Sequence, residues 1–423
     1  MSLLTLVESI RRSQRELSAC FLGSMIATPQ THCDFLLGKA NFMALRMQSS
    51  IVAVTLVSAL FLSCSAVDGA NPSSESDMSS TQQAVSLSML GADVSTAQRA
   101  LDLGASYYDA SGAKKDPLDI LKGVGVNYVR LRIWNNPASG YNNKTKVLSY
   151  AKTVKGKGLK LLVDFHYSDT WADPTHQSKP AAWSGHNISQ LQTDVYNFTY
   201  DVCNSLKSQG TTPDAVQIGN EINTGMLWSD GQVTNSNFAN LASLLKSGYN
   251  AIKACNSGTQ VFIHTADADS DSNARWFYDG IKAQGVSWDV TALSYYCFWH
   301  GTLSNMTSVV SDMKSRYGKP VVIVETAYPF TTSNADSTTN VVSGAPCSGY
   351  AATWAGQASN FADVQNAARS GGASGVFYWE PTWYAVAGNG WDPNNIGSSG
   401  DNWDNMALFD WTGHVNPNVK WTP

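Results

Sequence analysis

Eight short runs of β-branched and large apolar residues recur between residue 85 and residue 380, and they constrain the fold more tightly than anything else in the chain. They are VSLSML (85–90), NYVRLRIW (127–134), LKLLVDFH (159–166), AVQIGNE (215–221), QVFIHT (260–265), VTALSYY (290–296), VVIVE (321–325) and SGVFYWE (374–380). Most are nearly continuous rather than alternating in polarity, which is the pattern of parallel strands covered on both faces. The stretches between them read as helices. DPLDILKGVG (116–125) offers an Asp N-cap, a proline in the first turn, an apolar face and a closing glycine. VLSYAKTVKGKG (147–158) and FANLASLLKSGYNAIKA (238–254) behave alike. Eight such units predict a (β/α)8 TIM barrel with enlarged loops, a single catalytic domain over residues 85–423. A doubly wound open sheet is the alternative, but no GxGxxG or GxxxxGK[ST] loop follows the first strand.

Two of the runs end on a carboxylate. Glu221 follows Asn220 at the end of the fourth, and Glu325 closes the seventh. An acidic group at the tip of a buried strand is costly to desolvate, so it usually has a task. In a barrel, active-site residues sit at these C-terminal strand ends, where the two glutamates would face each other across the mouth. Such a pair, without metal-ligand company, suits glycoside hydrolysis: one carboxyl protonates the leaving oxygen and the other attacks the anomeric carbon. Asn220 would donate to the sugar 2-hydroxyl, Arg132 would hold down the pKa of the nucleophile, and Tyr295 would donate to the same carboxylate. A single Asn-Glu pair is more often a loop cap; two at matching strand ends, with arginine and aromatics at others, argue otherwise.

From residue 85 onward the sequence resembles glycoside hydrolase family 53, the arabinogalactan endo-β-1,4-galactanases. The motifs that carry the likeness are YVRLRIWNNP (128–137), DFHYSDTWADP (164–174), QIGNEINTGMLW (217–228), SYYCFWHGTL (294–303), VVIVETAYP (321–329) and GVFYWEPTW (375–383). The resemblance implies Glu221 as acid/base, Glu325 as nucleophile, a retaining mechanism, and Trp379 as a sugar platform beneath the cleavage point. Asp169 and Trp171, in the loop after the third strand with His166 and Asp173, are candidates for sugar subsites. Asp164 reads as a buried structural group. Trp228 would either stack on a sugar or cover the barrel top, and His264 and His300 are open between site and structure. Some members of this family hold calcium between the loops after strands seven and eight. Here Asn334, Asp336 and Asn340, with Asp392, Asp401 and Asp404 in the later loop, form a thin set of oxygen ligands. No cofactor is expected to be required; calcium on this thin set and a disulfide from Cys347 bracing the loop are the two alternatives, and no metal is expected among the site residues.

Charged residues are only 14% while aromatics reach 11%, which suits stacking on neutral hydroxylated ligands. A net charge of -5 argues against nucleic acid as partner. The expected partner is a polysaccharide, β-1,4-galactan, and the mature chain is expected to be a monomer free of the membrane. Residues 51–63, IVAVTLVSALFLS, preceded by Arg46 and leading into SCSA, have the layout of a secretory signal and are short for a membrane span. Because this run begins far into the chain, with Met43 and Met47 just before it, residues 1–46 read as a gene-model extension or signal flank, 47–66 as the signal peptide, and 67–84 as a Ser-rich disordered lead-in. Sequons at Asn143, Asn187, Asn197 and Asn305 fit a secreted glycoprotein. Four cysteines, at 203, 255, 297 and 347, fall within the domain, with no CxxC pair, so disulfides fit better than zinc and their pairing stays open. The competing readings are a barrel glycosidase acting on β-1,4-mannan or β-glucan, a non-catalytic sugar-binding barrel, and a membrane-anchored form.

Overall fold

The computed structural model describes residues 86–423 except 345, 346, 396 and 398; the expectations for the leader and its flanks lie outside the described residues. Eight strands close into a parallel barrel: β1 (Met89–Asp93), β2 (Tyr128–Ile133), β3 (Lys160–Phe165), β4 (Ala215–Ile218), β5 (Gln260–Thr265), β6 (Val290–Ser294), β7 (Val321–Glu325) and β8 (Gly375–Trp379). Each pairs with its sequence neighbour, and β1 closes the ring against β8 in register from Met89↔Gly375 to Asp93↔Trp379. This is the expected TIM barrel.

Helices form the outer layer. Two short ones, α1 (Ala97–Asp102) and α2 (Pro117–Gly123), lie between β1 and β2, on either side of a small hairpin pairing Tyr107–Tyr108 with Lys114–Lys115. Asp116 caps α2 as its sequence suggests, its carboxylate accepting from the Leu118 amide at 2.8 Å. One helix then follows each of the next strands: α3 (Lys144–Gly156), α4 (Ile188–Ser208), α5 (Ala239–Cys255), α6 (Asp271–Ala283), α7 (Leu303–Tyr317) and α8 (Trp354–Gly371). After β8 the described chain forms no α-helix. Its end instead lays Trp421 against Phe361, ring centroids 4.9 Å apart, with the indole N–H donating to the Gly91 carbonyl at 2.8 Å. Disulfides Cys203–Cys255 and Cys297–Cys347 join α4 to α5 and the loop after β6 to the loop after β7.

The first strand lies at 89–93 rather than 85–90. Its core segment, Leu-Gly-Ala-Asp, carries little apolar bulk, because the Phe377 ring of β8 fills the space beside Gly91; a Cβ there would sit 2.1 Å from that ring. The shift places Asp93 at a strand tip that the sequence pattern left unassigned.

Side chains alternate along each strand, so those two apart both face the barrel interior, at successive levels. Tyr128, Leu162, Ala215, Phe262, Ala292 and Phe377 pack in one apolar interior cluster. Two residues further along the strands, the interior turns polar: Asp93, Arg130, Asp164, Gln217, His264 and Ser294, all buried. That polar layer is the floor of the site.

Candidate active site

Arg130 organises the floor. Its Nη1 donates to Asp93 at 2.8 Å and to Glu325 Oε1 at 2.9 Å; Nη2 donates to Asn220 Oδ1 at 2.8 Å and Gln217 Oε1 at 3.1 Å and lies 3.0 Å from Asp164 Oδ2. One guanidinium thus fixes groups from β1, β3, β4 and β7. Asp164 is the structural group expected, also taking bonds from Gln217 at 2.6 Å and meeting His166 Nε2 at 3.0 Å. The arginine beside Glu325 is therefore Arg130, not Arg132. Both face inward from β2, but at successive levels, and Glu325 lies at the lower one. Arg132 pairs instead with Glu380 at 3.1 Å.

The same two-residue step corrects the tyrosine. Ser294 and Tyr296 point inward and Tyr295 outward. Tyr296 donates its hydroxyl to Glu325 Oε2 at 2.9 Å, whereas the Tyr295 hydroxyl donates to the Gly301 carbonyl. Burial first, and the Glu325 charge second, raise the Tyr296 pKa well above its ordinary value, so the phenol stays a donor.

β4 ends at Ile218, and a sharp turn carries Asn220 and Glu221 back over the barrel mouth. Gly219 takes φ 80°, and its missing side chain lets Ile222 approach to 2.6 Å from where a Cβ would be; Glu221 itself is held left-handed at φ 46°. Such a conformation costs of order 1–3 kcal/mol and is held only where surroundings enforce it. Here the surroundings are Ser294 and His264. The Ser294 hydroxyl donates to Glu221 Oε1 at 2.6 Å, and His264 Nε2 meets Ser294 Oγ at 2.8 Å. His264 Nδ1 accepts from the Glu221 amide at 3.3 Å and the Gln217 amide at 3.1 Å. With two N–H donors aimed at Nδ1, the ring N–H is assigned to Nε2, where it feeds Ser294. Nδ1 also lies 3.0 Å from Asn220 Oδ1. Burial, then the charge of Arg130, lowers the His264 pKa well below its ordinary value and keeps the ring neutral.

The carboxylate oxygens of Glu221 and Glu325 and a nitrogen of His264 lie within 4.8 Å of one another, the one such three-residue set among the described residues. Both imidazole nitrogens are already engaged, so the set reads as a hydrogen-bonded carboxylate pair rather than a metal centre. Burial raises the Glu221 pKa well above the usual carboxyl range, and the Glu325 charge adds to it. Burial also pushes Glu325 up, to about 7, opposed by the charge of Arg130 and the Tyr296 hydrogen bond. Glu325 is thus not held below its ordinary value as expected: burial raises both carboxyls, and at Glu221 the charge of Glu325 adds to it.

These groups open into a cleft of about 390 Å³ walled by aromatic side chains. Of the residues expected there, Asn220, Trp171 and Trp379 line it. Asn220 gives its side-chain N–H to the Ala172 carbonyl at 2.8 Å. Asp169 does not line the cleft: its carboxylate is spent on the backbone N–H groups of Asn136 and Ala181, both at 2.8 Å, and pins the loop. Nor does Trp228, because its loop folds back to pair the Trp228 amide with the Gln177 carbonyl at 2.7 Å. His166 and His300 both reach the lining. Trp299, 55% exposed, together with Trp391 and Trp403, completes it; these sit in loops with no strand periodicity to mark them.

The oxygens considered for calcium divide. Asp336 gives one oxygen to the Thr338 amide and the other to the Asp401 amide, and Asp392 caps the Asn394 amide. Asp401 Oδ2, Asp404 Oδ1 and Asn340 Oδ1 are buried without a hydrogen-bond partner. Burial raises Asp401 well above the carboxylate range and Asp404 to about 6, the position of anions short of a positive neighbour. These three residues fit a hard cation by donor type.

Residues 89–421 match the model of glycosyl hydrolase family 53. The chain is 33% identical to an endo-β-1,4-galactanase of Bacillus subtilis (strain 168), over 78% of this chain and 84% of that one. It is 35% identical to an arabinogalactan endo-β-1,4-galactanase of Cellvibrio japonicus (strain Ueda107), over 76% and 86%. Among solved structures, the GH53 catalytic domain of Ignisphaera aggregans superposes with a TM-score of 0.75 at 38% identity, covering 79% of this chain and 94% of that one.

Proposed function

The chain belongs to glycosyl hydrolase family 53 and is a glycoside hydrolase, and from that premise we propose that it cleaves β-1,4-galactosidic bonds within galactan or the arabinogalactan side chains of pectin, with retention of configuration. The observation that supports the reading is that one carboxylate oxygen of Glu221 lies within 4.8 Å of one of Glu325. Retaining enzymes place their carboxyl groups about 5–5.5 Å apart, and inverting ones leave room for a water between them at about 6.5–9.5 Å.

In this mechanism Glu325, ionised beside Arg130 and Tyr296, attacks the anomeric carbon from one face of the ring. Glu221, kept protonated by burial and by its charged neighbour, gives its proton to the departing glycosidic oxygen. The C–O bond to the leaving sugar breaks as an ester bond to Glu325 forms. Glu221, now a carboxylate, then takes a proton from water as that water attacks the same carbon, and Glu325 leaves. The Ser294–His264 chain keeps one face of the Glu221 carboxyl hydrogen-bonded throughout. Asn220, with its Oδ1 held by Arg130, keeps an N–H for the sugar 2-hydroxyl. No step runs through a metal; a calcium ion at Asp401, Asp404 and Asn340 would tie two loops together, away from the carboxylate pair.

Substrate choice rests on the named activities of the relatives, since both glutamates would serve equally on mannan or β-glucan. Release of reducing sugar from galactan, set beside mannan and cellulose, tests it: galactan should lead by a wide margin, and equal or greater rates on another polymer would refute the assignment. Secretion follows from the signal-like run at 51–63 and is supported by two disulfides in the domain. Among the described residues no helix is long and apolar enough to cross a membrane. N-terminal sequencing of secreted protein should find a start downstream of residue 64, and an intact leader on that material would refute it.

A further inference from the structure

Glu380 has no part in the mechanism above, yet it is fully buried at the tip of β8 and held left-handed at φ 54°. Its carboxylate takes both donors of Thr96, the hydroxyl at 2.6 Å and the amide at 3.2 Å, and pairs with Arg132 at 3.1 Å. Its own amide donates to the Asp93 carbonyl at 3.0 Å. One residue thus ties β8 to β1, to the loop after β1, and to β2. Arg132 is 2% exposed, and the Glu380 carboxylate is the one anionic partner its guanidinium has among the described residues.

The guanidinium also faces aromatic rings. Its central carbon lies 4.1 Å from the Trp171 ring centroid and 4.9 Å from that of Trp134. Trp171 is stacked on Trp391 at 4.9 Å and 20°, and its indole N–H donates to the Trp391 carbonyl at 3.1 Å. Trp391 is stacked in turn on Trp383 at 5.2 Å, with the rings 2° from parallel. Carboxylate, guanidinium and indoles therefore form one continuous layer, whose Trp171 and Trp391 side chains line the cleft while Trp383 is buried behind them.

A buried ion pair is seldom kept for stability alone, because apolar residues of similar volume usually do as well. A flat cation over an indole, by contrast, fixes the ring's plane and position, and Arg does this where Lys does not. We propose that Glu380 and Arg132 are positioning residues for a tryptophan wall, Trp171 with Trp391, that binds neutral pyranose units of a long chain away from the scissile bond. This rests on the reading of the cleft as a polysaccharide site. Indole faces suit the apolar face of a pyranose, and the rigid stack would present them without an ordering cost at binding.

The test uses the double substitution Arg132→Met/Glu380→Gln, which strands neither charge, and Arg132→Lys, which keeps the charge and loses the flat face. Near-ultraviolet circular dichroism reports the stacked indoles, and kcat and KM are measured on long galactan and on an aryl galactoside. With far-ultraviolet spectra unchanged, the double variant should lose near-ultraviolet indole intensity. Its KM on long galactan should rise about tenfold, equivalent to about 1.4 kcal/mol, with kcat moving far less. Arg132→Lys should shift KM in the same direction, with a fold close to the parent's. Unchanged KM in both variants, or kcat falling in step with KM on both substrates, would overturn the proposal. If the parent releases no sugar from galactan, the functional reading has failed, but the dichroism still judges the positioning role, and unchanged indole bands would reject it.

Discussion

Tyr296→Phe should move the acid limb of the pH–rate profile upward. In the parent, the Tyr296 hydroxyl donates to Glu325 Oε2 at 2.9 Å while Arg130 serves Oε1. Removing the hydroxyl leaves the ring's contacts with Trp299 and Trp403, at 5.1 and 5.9 Å, so packing changes little. What is lost is one hydrogen bond to the charged form of the carboxyl. Such a bond is worth about 1.5–3 kcal/mol, and one pKa unit corresponds to about 1.4 kcal/mol, so the Glu325 pKa should rise by about 1 to 2 units. The sign follows from which form the bond favours. Without it the carboxylate is less stable, protonation persists to higher pH, and the nucleophile ionises later. The limb controlled by Glu325, near 7 in the parent, therefore shifts toward alkaline pH. On the acid side of that limb kcat/KM should fall about tenfold or more, with a smaller loss on the plateau. The assay is kcat/KM for galactan across pH, with Tyr295→Phe as control, since that hydroxyl bonds to the Gly301 carbonyl. An unmoved limb in Tyr296→Phe, or an equal shift in Tyr295→Phe, would refute the assignment of the tyrosine and weaken that of Glu325.

Replacing Glu325 by Ala should remove nearly all turnover, and azide should not restore a product of retained configuration; recovery of such a product would mean another nucleophile. Glu221→Ala should spare substrates with good leaving groups, which need little protonation, and lose those with sugar leaving groups; equal losses on both would contradict an acid/base role. Cys203→Ser opens a bridge of 52 residues' separation and should cost up to about 4 kcal/mol in denaturant unfolding while leaving kcat unchanged; a loss of kcat at full folding would show that the bridge does more than stabilise. After chelation, added calcium should raise the melting temperature of the parent and not that of Asp401→Asn; identical responses would remove the cation from Asp401 and its neighbours.

The barrel was legible because seven of its strands are apolar runs flanked by helix signals, and those run lengths match strands buried on both faces. The eighth, β1, was misplaced because Gly91 yields its volume to Phe377, so the strand lacks the bulk by which strands are recognised. Glu221 and Glu325 stood out because a carboxylate ending an apolar run is conspicuous in one dimension. Their partners were less so. Arg130 and Arg132, like Tyr295 and Tyr296, are close in sequence and chemically equal. Strand alternation separates the two tyrosines, whereas the two arginines share the inward face and differ only in level, which the neighbouring strands set. Counting inward from Ser294 selects Tyr296, while counting from Tyr128 reaches Arg130 and Arg132 alike. Ser294 and His264 carry no signal beyond that alternation, and their task depends on the turn at Gly219 that brings Glu221 over them. Trp299, Trp391 and Trp403 lie in long loops where no periodicity operates, and the cleft they wall is made by packing between loops far apart in the chain.

The account turns on Glu325 as nucleophile and Glu221 as acid/base, and the stereochemistry of the first-formed product tests that most directly. Proton NMR of the newly released reducing end, followed from the first seconds of galactan hydrolysis, separates the two anomers before mutarotation mixes them. Retention predicts that the β-anomer appears first and the α-anomer grows only at the mutarotation rate. Initial appearance of the α-anomer would indicate direct attack by water, and the roles given to both glutamates would then have to be abandoned.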